Sequence, residues 1–256
     1  MHTALAAAAT LLSVAFALCT LERWLDRRRR HEAAWTAALL LFAAGSAALW
    51  AGAAVGWGDV GFRLFYLFGA VLNVPVLALG TVELLGGART GRRVTVGVLV
   101  FSGFAAGVLL TAPLRGPIAS GELPRGSEVL GPLPRILGAA GSGVGALVVL
   151  AGALWSAARL VRSRAPGAAR LAAGNGLIAA GTLVLGAGGL LNSILDEMDG
   201  FAVSLVIGIA FIFAGFLVAS ASSRRTVVGP RAISEFGVVL TPREHSEVTS
   251  RRCGST

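Results

Sequence analysis

The chain has no lysine; all 22 of its basic residues are arginine. Without a lysine amine no retinal-type Schiff base can form, which excludes that photochemistry whatever the topology. Histidine is nearly as scarce. His2, His31 and His245 all lie outside the apolar runs described below, so the usual axial ligands of a membrane-embedded haem and the usual zinc ligands are missing. Cys19 sits inside an apolar run and Cys253 close to the last residue, a spacing with no disulfide or zinc framework, and both are expected to be free thiols. No HExxH motif, acid pair or nucleophile–base set falls within an apolar run, and no Walker sequence occurs. These absences predict a protein that is not an enzyme, with no catalytic residues, no metal and no cofactor.

Charged residues make up 14% of the 256, against 55% hydrophobic, and mean hydropathy is +0.77. Such a chain is an integral membrane protein without a large polar domain. The net charge of +9 could suggest nucleic acid, but the arginines sit in short stretches between apolar runs. No nucleic-acid partner is expected; the arginines suit anionic lipids at the membrane surface. Complete replacement of Lys by Arg, with 35 Gly, fits the codon bias of a GC-rich genome.

A spanning helix needs about 20 apolar residues, because each adds about 1.5 Å across a hydrocarbon core of about 30 Å. Seven runs qualify: 3–21, 33–57, 64–85, 94–113, 136–160, 171–195 and 201–222. The first has no basic residues before it and five arginines (Arg23 and Arg27 to Arg30) after it, so it reads as a retained helix rather than a cleaved signal peptide. Eighteen of the 22 arginines fall on one side of the alternating map, and only Arg63, Arg115, Arg125 and Arg135 on the other. The positive-inside rule then predicts an outside N-terminus and a cytoplasmic C-terminus. Trp24, Trp35, Trp57 and Trp155 fall near the expected interfaces.

The expected fold class is therefore an all-α integral membrane protein, a seven-transmembrane-helix bundle over 1–222 in the cytoplasmic membrane. An Arg-rich cytoplasmic tail over 223–256 is expected to be disordered, lacking the apolar residues of a packed core. The outer loop, 114–135, is too rich in Pro and Gly for a stable helix. Spans one to three and five to seven share an orientation and an Arg-rich inner loop, which would fit a repeat, although residue-level similarity is not apparent.

Candidate site residues come from two spans. In the third, spacings of three and four align Tyr66, Gly69, Asn73, Val76, Gly80 and Glu83 on one face. Pro75 lacks an N–H and clashes with the carbonyl of Val71, predicting a kink and a free carbonyl beside Asn73. The sixth span carries Asn175, Ala179, Thr182, Gly186, Gly189 and Ser193 on one face, with Asn192 alongside. Tyr66, Asn73, Pro75, Asn175, Thr182 and Asn192 are the candidate ligand-lining residues. Glu83, the only acid in any of the seven runs, is a candidate coupling acid if it does not simply reach an arginine such as Arg89, Arg92 or Arg93. Small residues and interhelical Asn or Thr bonds are also ordinary packing devices, and the pairs Gly52/Gly56, Gly103/Gly107 and Gly141/Gly145 fit that use.

Two functions follow. The first is binding or translocation of a small solute or lipid through a cavity between the third and sixth spans. The second is a non-catalytic sensor or scaffold that reads the envelope through the outer loop and signals through the tail. No protein partner is assigned by the sequence.

Overall fold

In hydrocarbon every backbone N–H and C=O must find a partner within the protein, and a helix does this within one segment. The computed structural model describes residues 2–116, 118, 123–163, 165–194 and 198–227, apart from the side chains of His2, 190–199 and 221–227. Every described element is a helix: α1 (His2–Arg27), α2 (Arg30–Val55), α3 (Asp59–Phe65), a π-helical segment (Tyr66–Leu72), α4 (Asn73–Leu85), α5 (Gly87–Thr111), α6 (Gly126–Val129), α7 (Pro132–Ser163), α8 (Ala168–Ile194) and α9 (Met198–Val227). Seven stretches are long and apolar enough to cross a membrane, and they coincide with the seven runs read from the sequence. Most extend further, by up to about two turns at an end. The protein is thus a multi-pass membrane protein by the length and composition of its helices.

Turns between spans are tight, and the backbone shows how. Gly56, after α2, and Gly87, which opens α5, have φ of 96° and 73°, conformations that a β-carbon disfavours. The α1–α2 turn instead places Arg28 at φ 51°, with its N–H bonded to the Trp24 carbonyl and its guanidinium over the Trp24 ring. Arg63 at the other end donates to the carbonyls of Leu109, Leu110 and Ala112, closing the last turn of α5.

Two apolar clusters hold the bundle. One lies at the Arg-poor end, where Phe62, Val71, Leu109 and Leu130 are almost fully buried together with Trp57. The other joins α1, α2 and α9 through Phe16, Leu39, Phe42, Ile209 and Phe216, with Phe16 stacked on Phe213 at 4.8 Å. Helix α8 lies against α9 along a glycine seam: a β-carbon at Gly174 would come 2.8 Å from the Gly215 carbonyl, and one at Gly181 would come 2.6 Å from that of Gly208. Helix α5 is peripheral, with 11% of its most apolar window buried against 28% or more in the other spans. Its exposed Leu99, Val100 and Phe104 form a surface suited to lipid.

Several expectations change. The 114–135 loop contains one helical turn, α6, and anchors Val129 and Leu130 in the core at 4% and 0% exposure. Helix α9 continues to Val227, past the expected end of the membrane domain, and the rest of the tail lies outside the described residues. Trp57 is buried against Gly52, whereas Trp155 is exposed. Gly141 and Gly145 pack against Pro75 and Val74, but Gly103 and Gly107 have nothing within contact distance among the described residues.

Candidate binding cavity

The third span carries the main irregularity. Seven residues, Tyr66–Leu72, wind as a π-helix before the ordinary helix resumes at Asn73. Where wide turns give way to normal ones a carbonyl is passed over, and Pro75 two residues on removes a further N–H. Side chains make up the deficit. Asn73 Nδ2 donates to the Gly69 carbonyl at 3.3 Å, and the Ser142 hydroxyl of α7 donates to the Ala70 carbonyl. The predicted break is therefore a widened turn ahead of Pro75, and the carbonyls served by side chains are those of Gly69 and Ala70 rather than Val71.

The widened segment lets α2 approach closely on one side. A β-carbon at Gly45 would lie 2.8 Å from the Gly69 nitrogen. On its other side the spans part around a cavity of about 1770 Å³, walled by α2, the third span, α7, α8 and α9. Apolar groups dominate its depth: Phe42, Leu77, Leu150, Leu185, Leu205 and Ile212. Its mouth, at the Arg-poor end, has Tyr66, Arg135 and the loop residues Arg125, Ser127 and Glu128. Arg125 and Glu128 form an ion pair at 3.2 Å.

Toward the other end α2, the third span and α7 pack closely. Trp35 of α2 lies against Gly80, and Thr81 lies against Gly152, each so close that a β-carbon on the glycine would collide. Just beyond, Glu32 is 1% exposed and accepts hydrogen bonds from Nε and Nη2 of Arg23, both at 3.3 Å, while its second oxygen has no partner among the described residues. Arg23 also lies 4.8 Å over the ring of Phe216, tying α1 to both α2 and α9. The Thr36 hydroxyl bonds to that of Thr20.

The sequence candidates divide accordingly. Tyr66, Asn73 and Thr182 line the one cavity, with Gly186 and Gly189 from the sixth-span stripe. Asn73 and Thr182 each spend a donor on their own helix, Thr182 on the Ile178 carbonyl, and keep an acceptor oxygen for the cavity. Pro75 packs on α7 near Gly141 and is not in the cavity wall. Asn175 also lies away from it, donating to the Leu171 carbonyl. The side chain of Asn192 lies outside the described residues. Glu83 accepts a bond from the Thr95 hydroxyl at 3.2 Å and rests on Gly91; none of Arg89, Arg92 or Arg93 pairs with it among the described residues.

Sequence reading missed Glu32 because the second run was started at residue 33. The signal was present in Arg23 and Glu32, nine residues apart across a turn that folds the two helices side by side. It also missed Ser142 and Arg135, which stand out only once α7 is placed beside the third span. No family model, curated protein or solved structure matches this chain.

Proposed function

We propose that this is a non-catalytic protein of the cytoplasmic membrane that takes a lipid-sized amphiphile into its central cavity from the extracytoplasmic side, to carry it or to present it. The cavity carries this reading. At about 1770 Å³ it exceeds the roughly 300–1,000 Å³ usual for a drug-sized ligand, and its apolar depth suits a hydrocarbon chain better than a polar solute. Close packing of Trp35 on Gly80 and of Thr81 on Gly152 toward the Arg-rich end is what one end of a carrier has in each of its two states. Tyr66, Asn73 and Thr182 supply polar contacts along the wall, and the arginines of the Arg-rich end meet anionic lipid at the inner surface.

A sensor or scaffold reporting through the tail is the second reading. It is favoured by one feature: loop residues Arg125 to Val129 form part of the cavity wall, so occupancy bears directly on an exposed segment.

The test is thermal stability of the purified protein in phosphatidylcholine nanodiscs with added hexadecyl maltoside, a neutral sixteen-carbon amphiphile, and with a panel of sugars and amino acids. The amphiphile should stabilise the protein, since a ligand that binds only the folded state does so. Gly186 faces open space in the cavity wall, so Gly186→Phe should fold, narrow the cavity and weaken the effect. Stabilisation by polar solutes alone would overturn the amphiphile reading.

A further inference from the structure

Four arginines serve the Arg-poor end, and their circumstances differ. Arg63 is committed to the carbonyls that end α5, and Arg125 is paired with Glu128. Arg115 is not in the cavity wall. Arg135, in the first turn of α7, lines the mouth, is exposed, and has no hydrogen-bond or ion-pair partner among the described residues.

Beside it is the only tyrosine of the chain. Tyr66 is held between two glycines that leave room for its ring: a β-carbon at Gly126 would lie 3.0 Å from the ring, and one at Gly138 would lie 3.1 Å from the hydroxyl oxygen. Gly138 is three residues along α7 from Arg135, which puts the phenol and the guanidinium on the same face of the mouth. Like Arg135, the Tyr66 hydroxyl has no protein hydrogen-bond partner among the described residues. Two donors, one of them a permanent cation with a planar fork, thus stand unpaired among the described residues at the mouth of an apolar chamber.

We infer that Arg135 and Tyr66 form the head-group site of the cavity and select an amphiphile with an anionic head, a phosphate or carboxylate, over neutral and cationic ones. The inference rests on the amphiphile reading above. A guanidinium binds such oxyanions through two parallel N–H···O bonds, and the phenol adds a third donor. The charge of Arg135 works against a cationic head, and Glu128 at the same mouth is paired with Arg125. The hydrocarbon chain then extends past Asn73 toward Leu150 and Ile212, as a free inorganic anion would not.

The experiment measures dissociation constants for hexadecyl phosphate, hexadecyl maltoside, hexadecyltrimethylammonium and inorganic phosphate on protein in phosphatidylcholine nanodiscs. Hexadecyl phosphate should bind about tenfold or more tightly than hexadecyl maltoside, as a charge-assisted contact implies, and inorganic phosphate should bind far more weakly than either. Arg135→Gln should remove the preference for hexadecyl phosphate over hexadecyl maltoside, Arg135→Lys should restore part of it, and Tyr66→Phe should reduce it. Equal affinity for all three heads, or inorganic phosphate binding as tightly as hexadecyl phosphate, would overturn the head-group site while leaving the cavity reading in place. If no hexadecyl compound binds, the cavity reading itself falls and this inference with it.

Discussion

Three residues of the bundle differ in what a substitution would cost. A methyl group on Gly45 would strike the backbone at Gly69, which cannot retreat without unwinding the π segment. Gly45→Ala should therefore destabilise the protein by about 1–3 kcal/mol, the usual range for overpacking, as read from denaturation in mixed micelles. Asn73 bonds within its own helix, so Asn73→Ala should cost only about 0.6 kcal/mol in the absence of ligand, typical of such bonds in membranes. A much larger loss would mean that Asn73 holds more than the Gly69 carbonyl. Glu32 is the opposite case, a buried carboxylate that depends on one partner. Arg23→Ala should cost about 3–5 kcal/mol, toward the lower end because Arg23 is 25% exposed, while a double change to Met at 23 and Leu at 32 should recover most of it. If the single and double variants are equally unstable, the ion pair is not what the Arg-rich end relies on.

At the scale of the element, the third span couples a sequence feature to a tertiary one. Pro75 withholds an N–H from the Val71 carbonyl, and Ser142 from α7 supplies a hydroxyl to the adjacent carbonyl of Ala70. The two sites should not be independent. Ser142→Ala alone should destabilise the protein, but in a Pro75→Ala background, where residue 75 has an N–H again, the same change should cost measurably less. A coupling of about 0.5–3 kcal/mol from the four-protein cycle would agree; strict additivity would show that Pro75 is irrelevant to the Ala70 carbonyl. The sequence announced that this span is irregular, because Pro75 and Asn73 are local signals. It could not announce the π register, since a widened turn depends on what fills the space beside it, here the Gly45 backbone and Ser142. The same holds for the sixth span. Its polar and small stripe is visible by spacing, and Thr182, Gly186 and Gly189 do reach the cavity. The glycines that meet α9, at 174 and 181, follow a seven-residue spacing that becomes meaningful only with α9 alongside. Helix boundaries were the weakest signal: a start at residue 33 instead of 30 hid the buried Glu32.

For the whole molecule, the arrangement of seven spans was legible because the bilayer sets their length, while the cavity was not, since it arises from where five spans fail to meet. Orientation belongs to this scale. With Cys19 and Cys253 replaced by Ser, a cysteine introduced at the exposed Ser127 should react with a membrane-impermeant thiol reagent in intact cells, and a reporter fused after Arg225 should be cytoplasmic. Reaction only after the membrane is opened would invert the map and place the cavity mouth inside. The central claim is that a hydrocarbon chain enters the cavity, and it is tested most directly by photolabelling. A hexadecyl probe with a diazirine near the chain end, bound to protein in nanodiscs and mapped by peptide mass spectrometry, should label the cavity floor at Leu77, Leu150 or Ile212, and Gly186→Phe should suppress that labelling. Adducts confined to the exposed outer faces, such as Leu99, Val100 and Trp155, and unaffected by Gly186→Phe, would contradict it.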